Sequence, residues 1–266
     1  LFVTGDNSTP ILPNIDISSS ENGIVNLPDD VDSLFSNVAS RYTHIVAPNG
    51  DLIQFLIQDD FTVPQILHTR RVLESYLTDI PDTDWGSDKS NIAIAMATSN
   101  AIMFLLNDED EYENPYIWDI FDSGVNGQDL LAIEVFPEGS SEYMNSTERD
   151  ATYEEVLHFM HGFGVQLALP AMQNAIESAM LNAINNDVYN PLSDLPEDDF
   201  DEEYFAMGLE CYFGLWAHDP NGDGFCGDQE YAFITREAMA IGDSALFAII
   251  NGFFGEAWEY TAVLPQ

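Results

Sequence analysis

Apolar and polar positions change rhythm about halfway along the chain. In the first half, short apolar runs are cut by turn residues. His44-Ile45-Val46-Ala47 and Asp51-Leu52-Ile53-Gln54-Phe55-Leu56-Ile57 flank Pro48-Asn49-Gly50, which predicts a β-hairpin. Pro64 opens a helix that carries Ile66, Leu67, Val72, Leu73, Tyr76 and Leu77 to about Asp79. A second helix starts near Asp88 and carries Ile92, Ile94, Ala95, Met96, Ile102 and Met103. Residues 107–114 read as an acidic loop, and residues 130–136 as a buried strand closed by Pro137 and Gly139. From Arg149 onward the rhythm is helical, with helices predicted at 150–163, 170–186, 201–217, 229–240 and from about 243. A strand-containing N-terminal half and a mostly helical C-terminal half predict an α+β fold. Residues 1–30, rich in Asn, Ser, Pro and Asp, predict an extended N-terminal arm laid on one domain, 31–266, with a sub-boundary near 140.

Charge changes the picture more than length does. The 266 residues are 45% hydrophobic and 12% aromatic, enough for a packed core. Against 47 acidic residues stand 6 basic ones, and Lys89 is the single lysine. A net charge of −41 repels phosphate backbones and anionic lipid, which argues against nucleic-acid and membrane-surface partners. It suits a saline medium, where self-repulsion is screened, and it suits divalent cations. No apolar run reaches the roughly eighteen residues that a membrane span needs. Two sequons, Asn7-Ser8-Thr9 and Asn145-Ser146-Thr147, fit a secretory route. The expectation is a secreted, extracellular protein whose two cysteines, Cys211 and Cys226, form one disulfide or remain two buried thiols.

The stretch with the most chemistry runs from Ala151 to Gly164. On a helix, at about 100° per residue, Glu154, His158 and His161 share one narrow stripe. Val156, Phe159, Met160 and Phe163 make most of the remaining surface apolar, so the helix is expected to be buried. A carboxylate and imidazoles in such a place need partners, and a bound cation is one. A hydrogen-bonded polar stripe, or a cleft wall, is the other. Glu154-Glu155-Val156-Leu157-His158 has the spacing of the zinc-peptidase motif H-E-x-x-H, with Glu in the first ligand position and Glu155 where that motif has its general base. The extra negative charge would make a bound water less acidic and favour a divalent ion other than zinc. Glu155-Val156-Leu157-His158 is also a Glu-x-x-His, but a ferritin-like bundle needs two of them. Further along, Glu203 and Glu210 lie seven residues apart on one helix face.

Glu203-Tyr204-Phe205-Ala206 resembles the second zinc-binding helix of the glutamate-zincins, in particular the lethal-factor-like group. The order of Ile133-Glu134-Val135 ahead of the Glu154 helix is also similar to a zincin domain. The resemblance covers residues 130–217 and implies a zincin-like fold, with Glu203 as a metal ligand beside Glu154 and His158, His161 as a further ligand, and Glu155 as base in peptide-bond hydrolysis.

Asp219-Pro220-Asn221-Gly222-Asp223-Gly224-Phe225-Cys226-Gly227-Asp228-Gln229-Glu230 fits a twelve-residue EF-hand-like calcium loop. Asp219, Asn221 and Asp223 fill positions 1, 3 and 5, Gly224 the sharp turn, Phe225 the carbonyl position, and Glu230 the chelating position 12. Helices are expected on both sides, and with no second loop the reading is a structural clamp. The leading functional expectation is a secreted metallopeptidase with zinc or another divalent transition metal and a structural calcium, acting on peptide or protein. The alternative is a non-catalytic, adhesive or matrix-associated cation-binding protein.

Overall fold

The computed structural model describes residues 9–136, 150–193, 195–215 and 230–256. Five strands, β1 (Val25–Asn26), β2 (Arg41–Val46), β3 (Leu52–Ile57), β4 (Ile102–Leu106) and β5 (Gly127–Leu131), form one sheet in sequence order. β1, β2 and β3 are antiparallel, whereas β3, β4 and β5 run parallel. The β2–β3 hairpin turns through Gly50 at φ +88°, where a left-handed residue is needed. Helices α1 (Ser33–Ser36) and α4 (Pro115–Asp122) cover one face, and α2 (Val63–Tyr76) and α3 (Ser90–Thr98) the other. α2 starts on a capping box between Thr62 and Gln65.

Two predicted elements are corrected here. Ile102 and Met103 belong to β4 and not to a long second helix, which ends at Thr98 before Asn100 turns at φ +54°. All five β4 residues are buried, Met103 and Leu105 in one core, Ile102, Phe104 and Leu106 in the other. A parallel strand covered on both faces is a continuous apolar run with no period of its own. The strand expected at 130–136 lies earlier: β5 ends at Leu131, and Ala132–Glu134 is a 3₁₀ turn. Its polar residues Gln128 and Asp129 concealed it.

The described part of the N-terminal segment is tied into the body. Leu12 and Ile15 are buried in the α1/α4 core, Gln54 donates to the Leu12 carbonyl at 3.2 Å, and β1 extends the sheet.

Beyond the sheet lie α5 (Thr152–Met160), α6 (Pro170–Asn185), α7 (Phe200–Phe213), α8 (Arg236–Gly242) and α9 (Ser244–Phe254). The architecture is a mixed α+β fold with more helix toward the C-terminus. The helix expected at 229–240 starts only at Arg236; Tyr231 instead makes an antiparallel bridge with Tyr189. Thr235 is the better helix start, since its side chain caps Ala238. Among the described residues, no helix is long and apolar enough to cross a membrane.

Lys89 has an unusual place in so acidic a chain. It is 1% exposed, its Nζ makes no hydrogen bond among the described residues, and it stands 4.2 Å from the centre of the Phe253 ring. Burial pushes its ammonium down to about 8, with Asp79 opposing. Between that value and the unfolded value near 10.4, the unfolded chain holds a proton that the folded chain has released, so stability rises with pH in that window. Cys211 and the buried tyrosines titrate oppositely, but equally in a Lys89→Met variant. Urea unfolding at pH 7 and pH 10 should therefore show wild type gaining up to about 3 kcal/mol relative to Lys89→Met. An unchanged difference between the two proteins would remove Lys89 from this account.

Candidate metal centre

α5 is held on three sides. It packs against β5, α2 and α7, and Val156, Leu157, Phe159 and Met160 are all buried. At its start, Asp150 accepts from the Thr152 amide at 3.1 Å, and His68 Nε2 of α2 is 2.7 Å from Asp150 Oδ2, with both residues fully buried. One turn on, Tyr76 donates its hydroxyl proton to the Tyr153 carbonyl at 2.8 Å. The polar stripe of the helix is thereby turned toward α7.

There Glu154, His158 and Glu203 come together. His158 Nε2 is 3.8 Å from Glu154 Oε1 and 3.8 Å from Glu203 Oε1, and one ligand atom from each of the three lies within 4.8 Å of the others. Two donors bound to one tetrahedral ion at about 2.1 Å stand about 3.4 Å apart, so slight closure brings each His158–carboxylate contact to that spacing. Two carboxylates facing one imidazole repel each other, and a divalent cation would neutralise them. His158 is buried, whereas Glu154 and Glu203 are partly open to solvent, which leaves an approach from one side. The donor set fits a divalent ion on chemistry as well as spacing.

Glu155 is one step round the helix. Gln128 of β5 donates to its Oε2 at 2.7 Å. Burial pushes the Glu155 carboxyl up to about 7; Asp129 and Glu134 push the same way, while His158 and Gln128 oppose. Sequence reading missed Glu202, whose Oε2 lies 3.9 Å from His158 Nδ1 and whose Oε1 accepts from Gln166 at 3.0 Å. Burial pushes its carboxyl up to about 7 as well, against the pull of His158. Gln128 and Gln166 give no signal in sequence. Glu202 does stand beside Glu203, but in a run of acids that makes every member look alike.

His161, expected on the same stripe, is not brought to this group. Its Nε2 is 2.7 Å from Gln173 Oε1 of α6, and its ring packs on Phe205 with centroids 5.3 Å apart. Burial pushes its imidazole down to about 4, with Asp201 opposing. Nearly a turn beyond His158, it reaches past the carboxylates into the α6–α7 contact. From His161 to Val165 the backbone widens into a π-helical turn, a form frequent at functional sites. Glu210, two turns below Glu203, is buried and lies outside the group. Tyr204 and Tyr212 donate to Asp243 and Asn251, at 2.6 and 2.7 Å.

Most of the calcium loop, with Asp219, Asn221, Asp223 and Phe225, lies outside the described residues. Glu230 is buried, and its carbonyl accepts from the Asn190 amide at 2.7 Å. Because Tyr231 continues as extended chain, no helix follows the loop directly as it does in an EF-hand. Cys211 is a buried thiol pushed up to about 12 by burial; Cys226, and with it the expected bridge, is outside the described residues. No protein-family model, curated protein or solved structure matches the chain, so the geometry of this site carries the functional argument.

Proposed function

We propose that the chain is a secreted, zincin-like metal-dependent hydrolase of peptide bonds, with Glu154, His158 and Glu203 as metal ligands, Glu155 as general base and a structural calcium in the 219–230 loop. The observation that carries this reading is the meeting of the two carboxylates and the imidazole, from two helices, with Glu155 next to Glu154 in the chain and held by Gln128. A divalent ion bound there would polarise a carbonyl and make a water more acidic. Glu155 takes the proton of the attacking water as the carbonyl carbon gains its new C–O bond. It gives that proton to the nitrogen as the C–N bond breaks. The Gln128 amide fixes Oε2 and leaves Oε1 for this transfer. The acidic surface suits a saline extracellular medium.

The test is metal analysis of purified protein exposed to zinc, manganese and calcium, beside a peptide-library cleavage screen. The expected result is one calcium and one transition ion per chain, with cleavage that stops on chelation and returns with the transition ion. Uptake of calcium alone would discard the helical site. A transition ion closed in by protein, with no cleavage, would favour the non-catalytic cation-binding protein instead.

A further inference from the structure

His158 has two faces, and the metal reading uses only one. Its Nε2 looks toward Glu154 and Glu203, while its Nδ1 looks toward Glu202 Oε2 at 3.9 Å. Glu202 is itself held: Gln166, just past the π-helical turn, donates to its other oxygen at 3.0 Å. The turn makes room for this arrangement. A Cβ on Gly162 would stand 3.2 Å from Glu202 Oε1, close enough that the carboxylate would have to shift. A Cβ on Gly164 would meet Ile92 at 2.6 Å and Met96 at 2.9 Å, so α3 approaches the turn only because that residue is glycine. Both glycines therefore sit where the widened backbone is packed from two sides, by α7 and by α3.

We propose that Glu202 is the positioning carboxylate of this centre: it stands behind His158, 3.9 Å from Nδ1, and on closing that gap accepts a hydrogen bond from the Nδ1–H, which leaves Nε2 unprotonated and aimed at the ion. The proposal rests on the metal-site reading above. A metal-ligating histidine is ordinarily fixed through its other nitrogen, because the proton there decides which nitrogen is free to bind and how basic it is. Glu202 takes that role without being a ligand, since it faces the ring from the side opposite Glu154 and Glu203. Gln166 then acts at one further remove, by holding Glu202.

The experiment measures zinc affinity by competition with a chromophoric chelator, together with imidazole ¹⁵N and ¹H resonances of the zinc-loaded protein. Glu202→Gln should weaken zinc binding by about 10- to 100-fold, the range for loss of such a partner. It should shift the His158 Nδ1 resonances and leave the unfolding midpoint of metal-free protein no lower than wild type. Gln166→Ala should move affinity and resonances the same way, by less. If Glu202→Gln weakens zinc with the Nδ1 resonances in place, Glu202 acts as charge alone and the proposal falls. It falls too if affinity is unchanged, or if the metal-free midpoint drops in step with affinity; in those cases the metal site stands. Wild type that binds neither zinc nor manganese would overturn both.

Discussion

On the proposed function, His158→Ala is expected to remove the transition metal while calcium proposed for the 219–230 loop stays bound, and Glu155→Gln to keep both ions and lose hydrolysis by orders of magnitude. The contrast follows from the geometry. His158 is the one nitrogen donor of the group and lies 3.8 Å from each ligand carboxylate, so nothing else in the group replaces it. Its removal leaves two carboxylates, which hold a soft or borderline ion poorly. Glu155 is different because Gln128 holds it and it is not one of the three ligands. The amide in Glu155→Gln has the same shape but accepts no proton, so the step that needs a base fails with the metal in place. Metal analysis and single-turnover cleavage decide it. Full activity in Glu155→Gln would show that another residue is the base. Unchanged zinc in His158→Ala would show that the ion is elsewhere.

How much of this was legible in sequence can be argued residue by residue. The hairpin was plain because Pro48-Asn49-Gly50 separates two apolar runs, and the pairing Ile45↔Ile53 follows from it. Glu154 and His158 were legible because a four-residue spacing on a helix brings side chains together regardless of what packs around them. The same rule put His161 on the stripe, but angle alone ignores height along the axis, and α6 offers Gln173 at the height His161 reaches. β4 was hidden because burial on both faces erases periodicity, and β5 because Gln128 and Asp129 look like loop. Glu202 and Gln166 were beyond any local pattern. They matter only through the packing of α7 on the π-helical turn, which no window of sequence contains. The helix expected straight after Glu230 failed for a tertiary reason: Tyr231 and Ala232 run beside residues 188–190, where the Glu230 and Val188 carbonyls take the Asn190 and Ala232 amides.

That last contact leads to Asp243, a buried carboxylate shared by three elements of the C-terminal half. Asp243→Ala is expected to cost about 3 kcal/mol, a large share of the roughly 5–15 kcal/mol typical of a whole domain. Asp243 is 4% exposed, and its Oδ2 accepts from Tyr204 at 2.6 Å and from Tyr231 at 3.0 Å. Its Oδ1 faces the Leu246 amide at 3.4 Å as the cap of α9. The alanine variant takes the Asp243 acceptor from two buried hydroxyls, at about 1–3 kcal/mol each, and removes a cap worth about 1 kcal/mol; the relief of no longer burying a carboxylate offsets part of this. Asp243→Asn keeps an acceptor oxygen and should lose less. Tyr204 follows Glu203, and Tyr231 follows Glu230, so one carboxylate ties the helix of the proposed metal ligands to the end of the proposed calcium loop. Urea unfolding in chelator gives the intrinsic loss. Repeating it with zinc and then with calcium tests the coupling, since each ion should stabilise Asp243→Ala less than it stabilises wild type. A loss below about 1 kcal/mol in chelator would mean that the two phenols find other acceptors. Equal stabilisation of both proteins by both ions would mean that Asp243 holds the fold without ordering either site.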